Sequence, residues 1–401
     1  MKHILSVLLV GLVVLAMASC GGGEPESLQM LWWSDGTEGE VMQGLLDEYE
    51  EETGVVIELV PVAYNDYEAR LATMISGGEV PALARVTEGH LNNFQNNILP
   101  LGDVYDTSGF TNLFYNGDGE AISLPMDITA NGLFVNLDLL EQYDVNYISL
   151  GDPVWTWQEF YTEMSKLSGQ SNVASPGIFD HQGHRFMALF YQNGSEIWED
   201  AYSDSNLTSD AAADVVQMAM DFYEEGFLPR EAYVTRDSAS LFRTGQYGFH
   251  LSGNWNVSGY EDLGFDWTVV PMPQMENRAT ILGGKSLAAF AGSGTEEAAT
   301  AFIAWMAEPE QHDRFTGGVP YLTPRLGADV DYGDVSAEYR VFLDEIAATD
   351  ERFVQDWLQQ VMIPGMYPII NDFVADIAAG DRGSAEELLA QLEADLQEAA
   401  E

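Results

Sequence analysis

Aromatic and small polar residues lie together at three places where short apolar segments end. The groups are Trp32-Trp33-Ser34-Asp35-Gly36, Tyr64-Asn65-Asp66-Tyr67 and Gly253-Asn254-Trp255-Asn256. An aromatic face packs against apolar C–H groups, while Asp, Asn and Ser hydrogen-bond to hydroxyl groups that would otherwise be buried without partners. This combination is typical of a site for a carbohydrate.

The tryptophans in these groups differ in their surroundings. Trp32 alternates inward within an apolar segment and is predicted to fill core, whereas Trp33 and Trp255, flanked by Gly and polar residues, are predicted to contact a solute. Ligands of open α/β sheets bind beyond the carboxyl ends of the strands, which is where these residues would stand. Tyr64 and Asn254 belong to the same predicted site.

No catalytic spacing accompanies these residues. With 65 Asp and Glu residues in the chain, a carboxylate pair for acid–base catalysis can be drawn almost anywhere and is uninformative. Gly284-Lys285-Ser286 lacks the earlier glycine of a phosphate-binding loop, and no G-x-S-x-G segment is present. We therefore predict a binding protein rather than an enzyme, and no cofactor.

Two acidic segments resemble metal sites only in part. Asp180, His181 and His184 supply two imidazoles and a carboxylate, but no fourth ligand for zinc stands nearby. In the segment 329–334, Gly333 occupies a ligand position of a calcium loop, so an acidic surface turn is the better interpretation. We predict no metal.

The chain is extremely acidic. Its 401 residues carry a formal charge of −50, and its lysines are Lys2, Lys166 and Lys285. Such a surface repels nucleic acid and anionic lipid, which excludes both as partners. Because the acidic residues are spread along the whole chain, we interpret them as a solvated surface suited to high salt, where screening relieves self-repulsion.

The first twenty residues indicate export and anchoring. An apolar stretch over residues 4–18 is too short to span a bilayer, and small residues lead from it into Cys20, the single cysteine of the chain. We predict a signal peptide over residues 1–19, a lipid on Cys20 and a flexible tether over residues 20–27. The mature chain would then lie outside the cytoplasmic membrane, periplasmic or at the cell surface, and touch the membrane through its lipid alone.

From residue 28 onwards, apolar segments alternate with amphipathic ones. Residues 28–33 have the pattern of a strand, residues 38–53 that of a helix ended by Gly54, and residues 55–60 that of the next strand. The rhythm is that of βαβ units and predicts an α/β fold. About 380 residues after the leader exceed one ordinary core, so we expect two lobes.

Several short segments follow one another in an order that a known family shares. They are Trp32-Trp33-Ser34, Glu51-Glu52-Thr53-Gly54, Ser76 to Pro81, Ile122 to Pro125, Gly132 to Asn136, Thr156 to Phe160, and Leu241 to Gln246 followed by Gly253-Asn254-Trp255 and Gly283-Gly284. Taken together, the chain resembles the family 1 extracellular solute-binding proteins, the maltose-binding-protein-like receptors of ABC importers. It departs from the family at Ala82, where Asp is usual, and at Gly248-Phe249, where Ala-Met is usual.

The resemblance implies the type II periplasmic binding protein fold, in which two lobes, each a mostly parallel sheet flanked by helices, are hinged by three crossovers. The crossovers would lie near residues 127–131, 281–285 and 320–325. The N-terminal lobe would comprise residues 28–127 with 285–322, and the C-terminal lobe residues 128–284 with 323–401. Closure about the hinge would bury a sugar or oligosaccharide and present it to the permease subunits of an ABC importer.

The resemblance also implies which residues meet the solute. Trp255 matches the stacking tryptophan of the family. The other implied contacts lie in loops after strands, on the first crossover and in the second lobe. They are Trp33, Ser34, Asp35, Thr87, Glu88, Asp127, Thr129, Gln182, His184 and Tyr367.

Three other functions are compatible with the sequence. An extracellular glycoside hydrolase or lyase would use the same aromatic residues and carboxylates, and a lipoprotein could instead bind a protein partner. A cationic solute such as a polyamine would suit Asp35, Glu88 and Asp127, whereas phosphate-bearing ligands do not suit a chain with so few positive side chains. We expect a monomer.

Overall fold

The computed structural model describes residues 28–34, 36–180, 182–200, 204, 205, 207, 209–235, 237–319, 321–360, 363, 365–380 and 382–400. The predicted signal peptide, the tether with Cys20, and the residues Asp35 and His181 lie outside the described residues. Among the helices of the described part, none is long and apolar enough to cross a membrane.

Ten β-strands occur in the described part of the chain. They are β1 (Leu28–Trp32), β2 (Ile57–Pro61), β3 (Leu83–Val86), β4 (Leu124–Asn136), β5 (Ser175–Phe179), β6 (Trp198–Asp200), β7 (Asp204–Ser205), β8 (Tyr247–Gly253), β9 (Trp267–Val270) and β10 (Leu282–Ala289). The main sheet has the order β2-β1-β3-β10-β4-β8-β5, with β9 also paired to β4, while β6 and β7 form a separate two-stranded sheet.

Helices cover both faces of the main sheet. They are α1 (Glu38–Thr53), α2 (Tyr64–Gly77), α3 (Glu88–Asn93), α4 (Leu137–Gln142), α5 (Trp157–Met164), α6 (His184–Gln192), α7 (Asp210–Glu224), α8 (Glu231–Thr235), α9 (Ser238–Arg243), α10 (Val257–Tyr260), α11 (Glu296–Ala307), α12 (Pro309–Gly318), α13 (Ser336–Ala348), α14 (Glu351–Gln360), α15 (Met366–Ala379) and α16 (Ala385–Ala400).

The strand β4 runs through both lobes. Its first half, over residues 124–130, pairs with β10, and its second half pairs with β8 and β9. The strands β1, β2 and β3, with helices α1–α3, α11 and α12, form the N-terminal lobe, and the strands β5, β8 and β9, with helices α4–α10 and α13–α16, form the C-terminal lobe. The expected two-lobed α/β fold is confirmed, while the residue boundaries of the lobes stay a prediction.

The strand directions differ from the expectation of mostly parallel sheets. The pairs β1–β2, β1–β3 and β5–β8 are parallel, whereas β3–β10, β4–β10, β4–β8 and β4–β9 are antiparallel. The sheet is mixed because β10 and β4, the strands that connect the lobes, each run antiparallel to all of their neighbours in it. A helix pattern between strands predicts parallel pairs, but it does not reveal such inserted crossover strands.

The helix α1 shows how the sequence pattern becomes structure. Its residues Met42, Leu45, Leu46 and Tyr49 are buried on one face, as their spacing predicts. Gly54 ends the helix in the left-handed region, with φ of 74°, and its N–H bonds back to the carbonyl of Glu50. A residue with a Cβ would be strained there, so this glycine sets the length of the helix.

The face of β1 that meets α1 and α11 is the centre of an apolar cluster in the N-terminal lobe. Met30 and Trp32 belong to this cluster together with Phe302 and Phe315. The indole of Trp32 meets Phe315 edge to face at 6.1 Å between ring centroids, and Trp32 is 1% exposed. The prediction that Trp32 fills core is confirmed.

Candidate functional site

A hydrogen bond between Glu88 and Tyr367 joins the two lobes. Glu88 begins α3 directly after β3 in the N-terminal lobe, and Tyr367 lies in the first turn of α15 in the C-terminal lobe. The hydroxyl of Tyr367 donates to Oε1 of Glu88, and a Cβ at Gly89 would stand 3.4 Å from the Tyr367 ring. Thr87 caps α3 through His90: the Nδ1 of His90 lies 3.1 Å from the Oγ1 of Thr87. These contacts bring the first turns of α3 and α15 together where the two lobes meet, and this boundary is the candidate cleft.

Burial controls the ionisation of this pair. It raises the pKa of the Glu88 carboxyl, and the hydrogen bond from Tyr367 and the charge of Lys285 offset only part of that effect. The pKa of Tyr367 is raised well above its ordinary value, first by burial and then by the charge of Glu88. The phenol therefore keeps its proton, and the hydrogen bond runs from Tyr367 to Glu88.

Glu88→Gln is expected to raise the thermal midpoint at pH 7 and to lose this benefit near pH 4. A carboxyl whose folded-state pKa is raised stabilises the fold only below its unfolded pKa, about 4.3, and that contribution is lost as the pH rises through the folded value. Gln removes the buried charge and keeps an oxygen that accepts from Tyr367. Thermal unfolding of both proteins from pH 4 to 8 measures the difference; a constant difference across this range contradicts the assignment.

The aromatic wall of the N-terminal lobe surrounds Trp33. Trp33 is 2% exposed, and its ring lies 4.6 Å from Tyr67 and 5.4 Å from Tyr64, measured between centroids. The guanidinium of Arg85 lies 4.7 Å from the centroid of the same indole. Tyr64 is 48% exposed, and Ser34 is exposed as well. Tyr64 therefore presents the surface of this wall, and Trp33 supports it from behind.

Four buried charged residues and a tyrosine form a group that is here called the hinge ion cluster. Its members are Glu38, Arg85, Asp127, Lys285 and Tyr321, all less than 10% exposed. Asp127 Oδ1 accepts from the Lys285 backbone N–H at 3.1 Å, and Oδ2 lies 3.7 Å from Lys285 Nζ and 3.8 Å from Arg85 Nη2. Arg85 Nη1 lies 3.3 Å from Glu38 Oε1, to which the Tyr321 hydroxyl also donates. The cluster therefore joins the N-terminal lobe to β4, β10 and the segment after α12.

The facing wall of the C-terminal lobe centres on Arg185, in the first turn of α6. Its guanidinium carbon lies 4.3 Å from the ring centroid of Trp255, and its Nε lies 3.2 Å from Asp180 Oδ2. Its Nη1 lies 3.3 Å from Gln182 Oε1 and 2.8 Å from His184 Nε2. Trp255 is half-buried and packs against the apolar cluster of the N-terminal lobe, so its indole stands where the lobes meet.

His184 and Tyr367 are neighbours in this wall. Their rings meet edge to face at 5.4 Å between centroids, and the imidazole also stacks on Trp357 at 6.3 Å. The positive charge of Arg185 lowers the pKa of Tyr367 and the Tyr64 phenol raises it, although both effects are smaller than that of burial. Side chains of both lobes thus converge on the Tyr367 hydroxyl.

The first crossover contributes Thr129, whose side chain lies beside Gly283 of β10. A Cβ at Gly283 would stand 2.9 Å from Thr129 Oγ1, so the glycine leaves room for this hydroxyl. Asn254 lies behind the crossover and is fully buried. Its Oδ1 accepts from the Ala130 N–H at 2.9 Å and its Nδ2 donates to the Ile128 carbonyl at 3.4 Å.

The predicted residues therefore fall into two groups. The first, the cleft group, consists of residues whose contacts place them at or near the candidate cleft, together with Ser34, which is exposed just after β1; its members are Ser34, Tyr64, Thr87, Glu88, Thr129, Gln182, His184, Trp255 and Tyr367. Those whose polar or aromatic groups pack behind it are Trp33, Asp127 and Asn254. The sequence did not single out Arg85 or Arg185, although the rarity of cations, 15 Lys and Arg in the chain, was a signal that a buried one has a partner.

The architecture is that of a two-lobed binding protein, with a cleft between lobes that share central strands. The sequence pattern of the bacterial extracellular solute-binding proteins matches residues 44–339, and the chain belongs to this family. A relative, the galactooligosaccharide-binding protein of Bacillus subtilis (strain 168), is 22% identical over an alignment of 329 positions that covers 75% of each chain.

Two solved structures have the same fold. The GacH receptor of Streptomyces glaucescens GLA.O, described in the unliganded form and in complex with acarbose, has a TM-score of 0.76 at 17% identity and covers 93% of this chain and 98% of its own. An ABC substrate-binding protein of Listeria monocytogenes, in complex with cycloalternan, has a TM-score of 0.74 at 18% identity, with the same coverage.

Proposed function

We propose that this protein is the substrate-binding component of an ABC importer and captures a neutral sugar or oligosaccharide between its lobes. The observation that carries the proposal is the convergence of Trp255, Tyr64 and Tyr367 with Glu88 and Thr129 at one cleft. Aromatic faces suit the C–H surfaces of a sugar ring, and the carboxyl and hydroxyl groups suit its hydroxyls. The similar proteins support this choice, because they include a galactooligosaccharide-binding protein and binding proteins in complex with acarbose and with cycloalternan.

Charge pairing around the cleft favours a neutral solute. Arg185 faces Asp180, and within the hinge ion cluster Arg85 faces Glu38 while Lys285 faces Asp127. Each positive charge near the cleft therefore has a negative neighbour, which disfavours an anionic ligand. The carboxyl that faces Tyr367 belongs to Glu88, whose raised pKa disfavours its pairing with a polyamine.

The two groups of predicted residues would have different tasks. The cleft group would touch the solute, with Trp255 as its main stacking surface. Asp127 and Asn254 would instead hold β4 and β10 in position, because their polar atoms are used by those strands and by the hinge ion cluster. We place the lobe boundaries at residues 127–128, 284–285 and 322–323, around these crossovers.

A thermal-shift screen at high salt tests this function. A ligand at 100 times its dissociation constant stabilises the folded state by about 2.7 kcal/mol if it binds only that state. We expect at least one neutral oligosaccharide to raise the midpoint, and we expect spermidine and a glycerophosphodiester to leave it unchanged. A shift with spermidine alone, or the release of shorter sugars during incubation, would replace the proposal by one of its rivals.

We further propose that the chain acts as a lipid-anchored monomer outside the cytoplasmic membrane. The support is the single cysteine, Cys20, placed where the apolar leader ends, together with family membership. The membrane contact would be the lipid alone, since the acidic surface repels anionic head groups. Fractionation of expressing cells tests this: the wild type should sediment with membranes and Cys20→Ser should not.

A further inference from the structure

Arg185 is held rigidly beside the cleft. It is 8% exposed, and its Nε lies 3.2 Å from Asp180 Oδ2. The same carboxylate oxygen accepts from the Ser252 hydroxyl at 2.8 Å, and Ser252 in turn accepts from Asn256 Nδ2 at 2.9 Å. The ends of β5 and β8 and the turn after β8 therefore fix where the guanidinium stands.

The six-membered ring of Trp255 also lies against the backbone at the end of β8. A Cβ built at Gly253 would fall 1.7 to 2.3 Å from three carbons of the indole, which is far inside van der Waals contact. Only glycine permits this approach. Two contacts therefore restrain the Trp255 ring: the close approach of the Gly253 backbone and the Arg185 guanidinium, whose carbon lies 4.3 Å from the ring centroid.

We propose that Arg185 is the positioning residue for Trp255: its guanidinium sets the angle of the indole on which the solute stacks. Only the expected effect of Arg185 on solute affinity rests on the proposed function; its expected effect on the ring does not. Arginine suits this task because its planar cation stacks on an aromatic face while its Nε stays 3.2 Å from the Asp180 carboxylate as an ion pair. Arg185 therefore acts on the solute through Trp255.

The position of the ring is measured without solute. The near-ultraviolet circular dichroism of the wild type minus that of Trp255→Phe gives the signal of this indole. We expect Arg185→Met to change that signal, and we expect the same substitution made in the Trp255→Phe protein to leave its spectrum unchanged. Arg185→Lys, which keeps the charge without the planar stack, should give an intermediate change and covers the case in which Arg185→Met does not fold.

Affinity for the saccharide found in the thermal-shift screen supplies the second measurement. We expect Arg185→Met to weaken binding about three- to thirtyfold, the usual range for a cation–π contact, and to cause no further loss in a Trp255→Ala protein. The matched control is Arg352→Met, which removes an exposed guanidinium 4.4 Å from the Phe353 ring and should leave affinity unchanged.

Two results overturn the assignment. One is a circular dichroism spectrum that Arg185→Met leaves unchanged, or changes as much in the Trp255→Phe protein as in the wild type. The other is a loss of affinity that multiplies with that of Trp255→Ala, which would make Arg185 an independent solute contact. If no saccharide binds the wild type, the proposed function fails, and the circular dichroism measurement still decides whether Arg185 positions the ring.

Discussion

We expect Trp255→Ala to abolish the thermal shift caused by the cognate saccharide. The indole stands where the two lobes meet and is half-buried there. A sugar ring stacked on it would therefore be shielded from water by both lobes. Truncation of a central tryptophan in a binding site typically costs about 2 to 4 kcal/mol, which corresponds to a loss of roughly 30- to 1,000-fold in affinity. Calorimetric titration of both proteins measures this ratio.

The matched control for this variant is Trp305→Ala. Trp305 lies on α11, is also half-buried, and donates from its indole N–H to Glu52 at 2.9 Å, away from the cleft. It should bind the saccharide as the wild type does. Without solute, Trp255→Ala should unfold near the wild-type midpoint. An undiminished shift in Trp255→Ala would remove this residue from the site.

We expect Arg85→Met to lower the free energy of unfolding by about 3 to 5 kcal/mol, because it leaves Glu38 and Asp127 buried with less compensating charge. The variant also removes the donor that Arg85 Nη1 supplies to the Trp33 carbonyl at 2.5 Å. Chemical denaturation measures the loss. Since the hinge ion cluster ties the N-terminal lobe to the crossover strands, the loss of stability should be larger for this buried arginine than for an exposed one.

The control is Arg314→Met. Arg314 Nη1 lies 2.6 Å from Glu48 Oε2, but the two side chains are 48% and 33% exposed, so the pair is solvated. Exposed ion pairs contribute about 0 to 1 kcal/mol. Similar losses of unfolding free energy in Arg85→Met and Arg314→Met would show that burial of the hinge ion cluster adds nothing to its stabilising effect. That result would contradict its structural role.

Much of the fold follows from local pattern. The face of α1 and its end at Gly54 depend on residues a few positions apart, and the inward position of Trp32 depends on alternation within one strand. The two lobes follow from chain length and family resemblance. The mixed sheet does not, because the direction in which β4 and β10 enter it depends on partners far away in sequence.

The site was predictable by region more than by residue. The family resemblance places Asp127 on the first crossover, and a position after a strand places Asn254 near the cleft, but neither shows that these side chains bond to the crossover strands. The pair Glu88 and Tyr367 is 279 residues apart, and no local pattern links the two. Arg185 was missed for the same reason, since its role depends on Trp255, which lies in another element.

Hydrogen exchange with and without the cognate saccharide tests most directly whether both lobes enclose the solute. Peptides from α3 in the N-terminal lobe and from α6 and α15 in the C-terminal lobe contain Glu88, Arg185 and Tyr367. We predict slower exchange in all three peptides at saturating saccharide and no change in α16. Protection confined to one lobe, or absent from both, would contradict capture between the lobes.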